Sequence, residues 1–130
     1  MERYDIAVIG TGPAGVSAAI TAKVRGKKLI LFGSRHLSDK VEKAHSILNY
    51  PGLPNVSGAE LANAYRMQLD SLDIPITEKQ VTAVYAMGDY FAIQTPDDMV
   101  ESTAVILAAG VVTTKALPGE NAFLGRGVSY

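Results

Sequence analysis

The stretch Tyr4-Asp5-Ile6-Ala7-Val8-Ile9-Gly10-Thr11-Gly12-Pro13-Ala14-Gly15 decides the fold of this chain. Its apolar run has no polar face, which favours a buried parallel strand. Gly10 allows a tight turn, Gly12 lets the backbone approach a pyrophosphate, and Gly15 lets a helix pack closely on the strand. Pro13 suits the first helical turn, whose free N–H groups attract anions. The context predicts a dinucleotide-binding site, the alternative being a purely structural glycine-rich turn.

The composition indicates one globular domain with ordinary surface chemistry. The chain has 130 residues, of which 48% are hydrophobic and 19% charged, and its formal net charge is -1. This balance gives no reason to expect nucleic acid or an anionic membrane as a partner. No apolar run has the length of a membrane span or signal peptide, so we expect a cytoplasmic protein. The absence of cysteine excludes disulfides, thiolate metal sites and thiol chemistry within this chain.

The glycine-rich stretch begins a βαβ unit. We predict a helix over 13–25, ended by Gly26, and a second buried strand over 28–32. A long connection follows over 33–56, and its two histidines have no partner at metal or triad spacing. Ser57 and Glu60 then form a capping box that opens a helix to about Leu72. The apolar stripe of this helix is Leu61, Ala64, Tyr65, Leu69 and Leu72.

The end of the second strand lacks an expected acid. In dinucleotide-binding units an Asp or Glu here usually accepts a hydrogen bond from a ribose hydroxyl. This chain has Gly33, followed by Ser34 and Arg35. One interpretation is NADP, whose 2′-phosphate Ser34 and Arg35 could hold. The other is a flavin nucleotide whose ribose is bound by Ser34 or by backbone.

The second half of the chain changes to strand periodicity. Three short antiparallel strands are predicted over 81–87, 90–95 and 99–102, and a continuous apolar run over 104–109 predicts a buried parallel strand. From Val111 onward, Pro and Gly indicate a connection. The predicted fold is α/β and Rossmann-like, with a parallel sheet, helices and a three-stranded antiparallel meander. Such a meander is typical of the FAD domains of two-dinucleotide flavoproteins and less of nicotinamide dehydrogenases.

The whole chain resembles the N-terminal part of thioredoxin reductase of the low-molecular-weight, bacterial type. The resemblance rests on 4–15, the Asn49-Tyr50-Pro51-Gly52 turn, the meander, Ala108-Ala109-Gly110 and the tail 117–130. It implies a glutathione-reductase-like FAD domain over 1–112, and over 113–130 a segment leading to a pyridine-nucleotide domain. The family's Cys-x-x-Cys pair would follow Tyr130, so no catalytic residue is expected in this chain. Absence of the family's returning segment would leave a sheet edge and an apolar patch exposed.

The resemblance also implies which residues bind FAD. The pyrophosphate would lie at the glycine loop, the adenosine over the end of the second strand, the adenine near Val81, and the flavin near the long connection and the end of the last strand. The implied FAD-binding residues are Gly10, Gly12, Pro13, Ala14, Gly15, Phe32, Gly33, Ser34, Lys40, Asn49, Val81, Ala109 and Gly110.

The chain departs from the family at three of these positions. Gly33 replaces a common ribose-binding acid, Ala109 stands where the family usually has Thr, and Lys40 lies about where a Gln would adjoin the flavin. The long loop and Lys40 are similar to clostridial reductases that take electrons from ferredoxin instead of NADPH. We hypothesise that Lys40 stabilises a reduced, anionic flavin.

The function expected from this resemblance belongs to a larger enzyme. It would pass electrons from NADPH or ferredoxin through FAD to a protein disulfide of the thioredoxin kind, commonly as a homodimer. Two alternatives remain open, which are an NADP-binding domain of a dehydrogenase and a non-catalytic nucleotide-binding fragment.

Overall fold

A six-stranded sheet organises the chain, in the order β3-β2-β1-β6-β5-β4. The structure of the protein, a computed structural model, describes residues 2–111 and 116–127. The strands are β1 (Arg3–Ile9), β2 (Leu29–Phe32), β3 (Ile76–Thr77), β4 (Ala83–Ala86), β5 (Phe91–Gln94) and β6 (Met99–Leu107). The helices are α1 (Pro13–Val24), α2 (Asp39–Glu42), α3 (Gly58–Ser71) and α4 (Glu120–Phe123). The short α2 and α4 and the strand β3 were not predicted as elements from the sequence.

The sheet has a parallel part and an antiparallel part. Strand β1 pairs in parallel with β2 and with β6, and β2 pairs in parallel with β3. The strands β4, β5 and β6 pair antiparallel. The predicted α/β fold with an antiparallel meander is therefore confirmed.

The last strand is longer than the sequence predicts. The predicted strands over 99–102 and 104–109 are one continuous strand, β6. Its first residues pair antiparallel with β5, while the run from Glu101 to Leu107 pairs in parallel with β1. No turn residue separates Ser102 from Ala104, so the backbone stays extended and one strand serves both parts of the sheet.

The burial predicted for 104–109 is wrong. Ile106 is 37% exposed and Leu107 is 73% exposed, while Ala104 and Ala109 are also exposed. Strand β5 pairs with β6 only as far as Ser102. Beyond that point, β1 is the one partner of β6 among the described residues, and the side chains of Ile106 and Leu107 remain exposed, while Val105 packs against the core. The expected open edge and apolar patch are present here.

Core residues lie on both faces of the sheet. On one face Val8 and Leu31 pack with α1 and α3, and on the other Ala7 and Phe32 pack with Ile93 of β5. Consecutive residues of β1 and β2 are thus buried on opposite faces, as a continuous apolar strand predicts. In the described chain, no helix has the length and hydrophobicity that a membrane crossing needs.

Helix α3 begins where its sequence predicts. The Ser57 side chain accepts from the Glu60 N–H at 3.1 Å, and the Glu60 carboxylate accepts from the Ser57 N–H at 2.8 Å, forming the capping box. These hydrogen bonds lower the Glu60 pKa. The buried stripe differs at one position, because Ala62 is fully buried and Ala64 is exposed. The sequence spacing fits either alanine, and the packing of α3 against the sheet selects Ala62.

We expect Ser57→Ala to lower the free energy of unfolding by about 1 kcal/mol, because it removes the cap of α3. It should also weaken the acid dependence of stability. A carboxyl group whose folded pKa is depressed stabilises the protein above its unfolded pKa, and this contribution is lost as the pH falls through the folded pKa. Urea unfolding between pH 3 and 7 measures both effects, with Ser71→Ala at the other end of α3 as the control. Equal stability of the two variants would contradict this account.

Candidate nucleotide site

Two glycines of the motif, Gly10 in the loop between β1 and α1 and Gly15 in the first turn of α1, are required by the protein's own packing. Gly10 has a φ of +118°, and a Cβ there would overlap the carbonyl of Ala108 at the end of β6. A Cβ on Gly15 would overlap the carbonyl of Gly10. The loop, the start of α1 and the end of β6 therefore meet backbone to backbone.

The third glycine has no such reason within the described chain. A Cβ on Gly12 would have no heavy atom within 4 Å, and the Gly12 backbone, with φ -74°, suits any residue. Gly12 is the N-cap of the twelve-residue α1, and no side chain caps that helix end. The open space above Gly12 and the uncapped helix N-terminus together suit the close approach of an anionic ligand.

A cavity of about 740 Å³, here called the loop cavity, lies over this turn. It brings together many of the predicted binding residues from three parts of the chain: the glycine loop, α2 and the segment after β6. The predicted residues that line it are Gly10, Gly12, Pro13, Ala14, Lys40, Ala109 and Gly110. Gly15 is buried behind the loop and does not line the cavity.

Helix α2 forms one wall of the loop cavity. It packs so closely on the start of α3 that a Cβ on Gly58 would overlap the carbonyl of Val41. From this wall the Lys40 Nζ donates to the Val111 carbonyl at 2.6 Å. Lys40 thereby joins the α2 wall to the segment that follows β6. Asp39, beside it, lines the same cavity and places a negative charge there.

A second cavity of about 440 Å³, here called the strand-end cavity, lies at the carboxyl ends of β1, β2 and the segment after β3. Four further predicted residues line it: Phe32, Gly33, Ser34 and Val81. Both cavities share Gly10 and Ala109 in their linings. The two spaces therefore adjoin at the glycine loop, an arrangement that suits a ligand with two halves joined by a pyrophosphate.

The absence of an acid at position 33 has a steric cause. A Cβ on Gly33 would overlap the side chain of Thr11. The buried Thr11 hydroxyl donates to the Leu37 carbonyl at 2.8 Å and accepts from the Ser34 N–H at 3.1 Å. Because Thr11 fills the space and holds the chain after β2, position 33 has no room for a side chain.

Arg35, a candidate for binding a 2′-phosphate, is engaged by Glu78. The Arg35 N–H donates to Glu78 Oε1 at 2.9 Å, while its Nε and Nη2 donate to Oε2 at 3.0 and 2.6 Å. The backbone N–H and the guanidinium of Arg35 lower the pKa of Glu78. The positive charge of Arg35 is thus already compensated. This pairing disfavours the NADP interpretation. Glu78, which forms it, is not among the site residues that the sequence predicts.

One predicted binding residue, Asn49, lies apart from the two cavities, and the two histidines of the long connection were not predicted as site residues. Asn49 is exposed and lines neither, and both His36 and His45 are exposed. Within the described ranges, no group of three His, Cys, Asp or Glu side chains could hold a metal ion. The predicted domain boundary at 112/113 falls outside the described residues.

Comparison with known proteins identifies the family. Residues 4–130 match the family described as pyridine nucleotide-disulphide oxidoreductase. The chain belongs to this family. The resemblance to thioredoxin reductase is likewise confirmed. The chain is 34% identical over 129 residues to thioredoxin reductase of Treponema pallidum and 35% identical over 136 residues to that of Aquifex aeolicus. These matches cover 98% of this chain but only 42% and 40% of the relatives.

Solved structures agree with the family assignment. A ferredoxin-flavin thioredoxin reductase from Clostridium acetobutylicum is 51% identical, with a TM-score of 0.86 over 98% of this chain and 44% of its own. Thioredoxin reductase from Streptococcus pyogenes is 32% identical, with a TM-score of 0.82 over 98% of this chain and 42% of its own. This member of the family therefore spans about two-fifths of the length of the relatives it matches.

We expect Gly33→Ala to destabilise the protein by about 1–3 kcal/mol through overlap with Thr11. In a Thr11→Gly background the same change should cost less than about 0.5 kcal/mol, because the space is then open. Urea unfolding without nucleotide measures this double-mutant cycle. Gly12→Ala, a glycine-to-alanine change into open space, is the matched control and should be near neutral. Equal costs of Gly33→Ala in both backgrounds would refute the steric explanation.

Proposed function

We propose that this chain is the FAD-binding part of a flavin-dependent disulfide oxidoreductase of the thioredoxin-reductase kind. The observation that carries the proposal is the open space above Gly12, at the N-terminus of α1 and in the loop cavity. No described residue of the chain occupies the space where a Cβ on Gly12 would lie, whereas a pyrophosphate approaching the backbone would need that space. Family membership supports the proposal.

The two adjoining cavities suit a dinucleotide better than a mononucleotide. In this proposal the backbone N–H groups of the loop hold the pyrophosphate where the cavities meet, at Gly10 and Ala109. The strand-end cavity receives the adenosine between Phe32, Gly33 and Val81, and the loop cavity receives the flavin half beside Lys40.

FAD bound there would supply the two-electron redox chemistry. The residues of this chain bind and orient it, and none acts as a nucleophile on a disulfide, because the chain has no cysteine. We propose a thioredoxin-like disulfide protein as the acceptor of the complete enzyme, in a homodimer. The chain is 51% identical to a ferredoxin-flavin enzyme but only 34 and 35% identical to two relatives whose name, thioredoxin reductase, mentions no ferredoxin. This difference supports ferredoxin over NADPH as the electron donor.

The first test is nucleotide binding by the unaltered protein. We expect a stoichiometric flavin spectrum, with the flavin released on precipitation of the protein, and no tighter binding of NADP than of NAD. Tighter binding of NADP without flavin would support the dehydrogenase alternative. Binding of neither FAD nor NADP would leave the non-catalytic fragment and overturn the proposal.

Gly12→Ala tests the observation on which the proposal rests. We expect FAD affinity to fall at least about tenfold, because a methyl group would occupy the space that the pyrophosphate needs. The free energy of unfolding without nucleotide should change by less than about 0.5 kcal/mol, because that methyl group meets no protein atom. Equilibrium titration with FAD and urea unfolding measure the two effects. Gly26→Ala, outside both cavities, is the binding control, and unchanged FAD affinity in Gly12→Ala would contradict the proposed site.

Lys40 tests the electrostatics of the loop cavity. We expect Lys40→Met to lower the flavin midpoint potential, because the ammonium group stabilises negative charge in the cavity. An effect of about 1 kcal/mol at an intermediate dielectric corresponds to about 20 mV for a two-electron couple. Asp39→Asn, on the same wall, should shift the potential upward. Lys43→Met, which lies outside the cavity lining, should leave it unchanged. Equal midpoints of Lys40→Met and the unaltered protein would remove this role.

A further inference from the structure

The ribose-binding acid missing from the end of β2 has a counterpart on the neighbouring strand. The register of the parallel pair places Leu31 opposite Ile76 and Phe32 opposite Thr77. The next pair in this register is Gly33 and Glu78, and the Gly33 N–H donates to the Thr77 carbonyl at 3.2 Å. Adjacent strands lie about 4.8 Å apart. Glu78 therefore starts about one strand spacing from the position where the family pattern has its acid.

The carboxylate of Glu78 is held in place at the strand-end cavity. Glu78 lines that cavity together with Gly33 and Ser34. Three N–H groups of Arg35, one from the backbone and two from the guanidinium, donate to its two oxygens. The Arg66 Nε in turn donates to the Arg35 carbonyl at 3.3 Å. The side chain is thus oriented at the rim of the cavity before any ligand arrives.

The same carboxylate keeps capacity for a ligand. An ionised carboxylate offers about four acceptor positions. The contacts of Arg35 place two donors on Oε2 and one on Oε1, so Oε1 can accept one more hydrogen bond. The Glu78 side chain is 41% exposed, so this position is accessible. A sugar hydroxyl is a donor of the required kind.

We propose that Glu78 accepts a hydrogen bond from the adenosine ribose of the bound dinucleotide and so takes over the role of the acid that Thr11 excludes from position 33. This inference rests on the proposed function, because it assigns one residue of the same nucleotide site. Arg35 acts as a positioning residue, since it holds the Glu78 carboxylate in place and does not itself line the strand-end cavity.

The experiment compares two nucleotides that differ only in the ribose hydroxyls. ADP and 2′,3′-dideoxy-ADP are titrated against the FAD-loaded protein, where each competes with FAD for the site. For each variant we measure the ratio of the two inhibition constants for FAD binding. In the unaltered protein we expect ADP to bind about tenfold more tightly, as for one hydrogen bond to a charged group. Glu78→Gln should reduce this ratio to about twofold or less. Because both nucleotides are measured on the same protein, a general loss of stability does not change the ratio.

Two control variants assign the effect. Glu101→Gln removes a carboxylate that also pairs with an arginine, Arg3, but lies outside the strand-end cavity and contacts neither Arg35 nor Arg66, so the ratio should stay near tenfold. Ser34→Ala removes the hydroxyl that sequence reasoning suggested for the ribose, and its ratio tests this competing assignment. A tenfold ratio that persists in Glu78→Gln, or is lost in Ser34→Ala instead, would overturn the assignment of Glu78.

The outcome also separates this inference from the proposed function. If the unaltered protein binds no FAD, the proposed function fails. If it binds FAD but shows the same ratio in Glu78→Gln, or no preference for ADP at all, the inference alone fails.

Discussion

The backbone contact among Gly10, Gly15 and Ala108 is the constraint on which the site depends. It closes the turn between β1 and α1 onto the end of β6, and the Ala108 N–H donates to the Ile9 carbonyl at 2.8 Å beside it. The contact joins the first strand of the chain to the last described strand. Both cavities include this junction, so neither exists until the sheet has brought β6 alongside β1. The site is therefore a product of the assembled sheet and not of the loop alone.

Sequence predicts the local features of this fold well, because their causes lie within a few residues. The glycine loop after an apolar strand and the Ser57–Glu60 capping box are each determined by neighbouring residues, and both form as predicted. Burial is a different property, because it depends on which distant element covers a surface. The apolar run over 104–109 reads as buried, yet half of β6 has a partner on only one side among the described residues. Ala62 and Ala64 differ in burial for the same reason.

The candidate site shows the same division. The residues around the glycine loop can be predicted from one motif, whereas Glu78 lies 45 positions after Gly33 and reaches it only through the parallel pairing of β2 and β3. A signal was present in the sequence, namely a bulky Thr11 in the loop together with glycine where an acid is common. Its meaning required the structure, because only there does the Thr11 side chain fill the space beside Gly33.

The site requires glycines at fixed positions and a side-chain acceptor for the sugar, and only the acceptor can be supplied from different positions in the sequence. Gly10 and Gly15 are needed where the protein's own backbone segments meet, and in the proposed function Gly12 is needed where a pyrophosphate approaches the backbone, so no residue elsewhere in the chain can replace them. A hydrogen-bond acceptor for a sugar is a side-chain property, and any strand that ends at the same edge of a parallel sheet can present one. In-register neighbours at about 4.8 Å spacing make that exchange geometrically small. The chain can therefore keep the glycine fingerprint while Thr11 and Gly33 replace the usual acid, provided that a neighbouring strand offers Glu78 at the same edge.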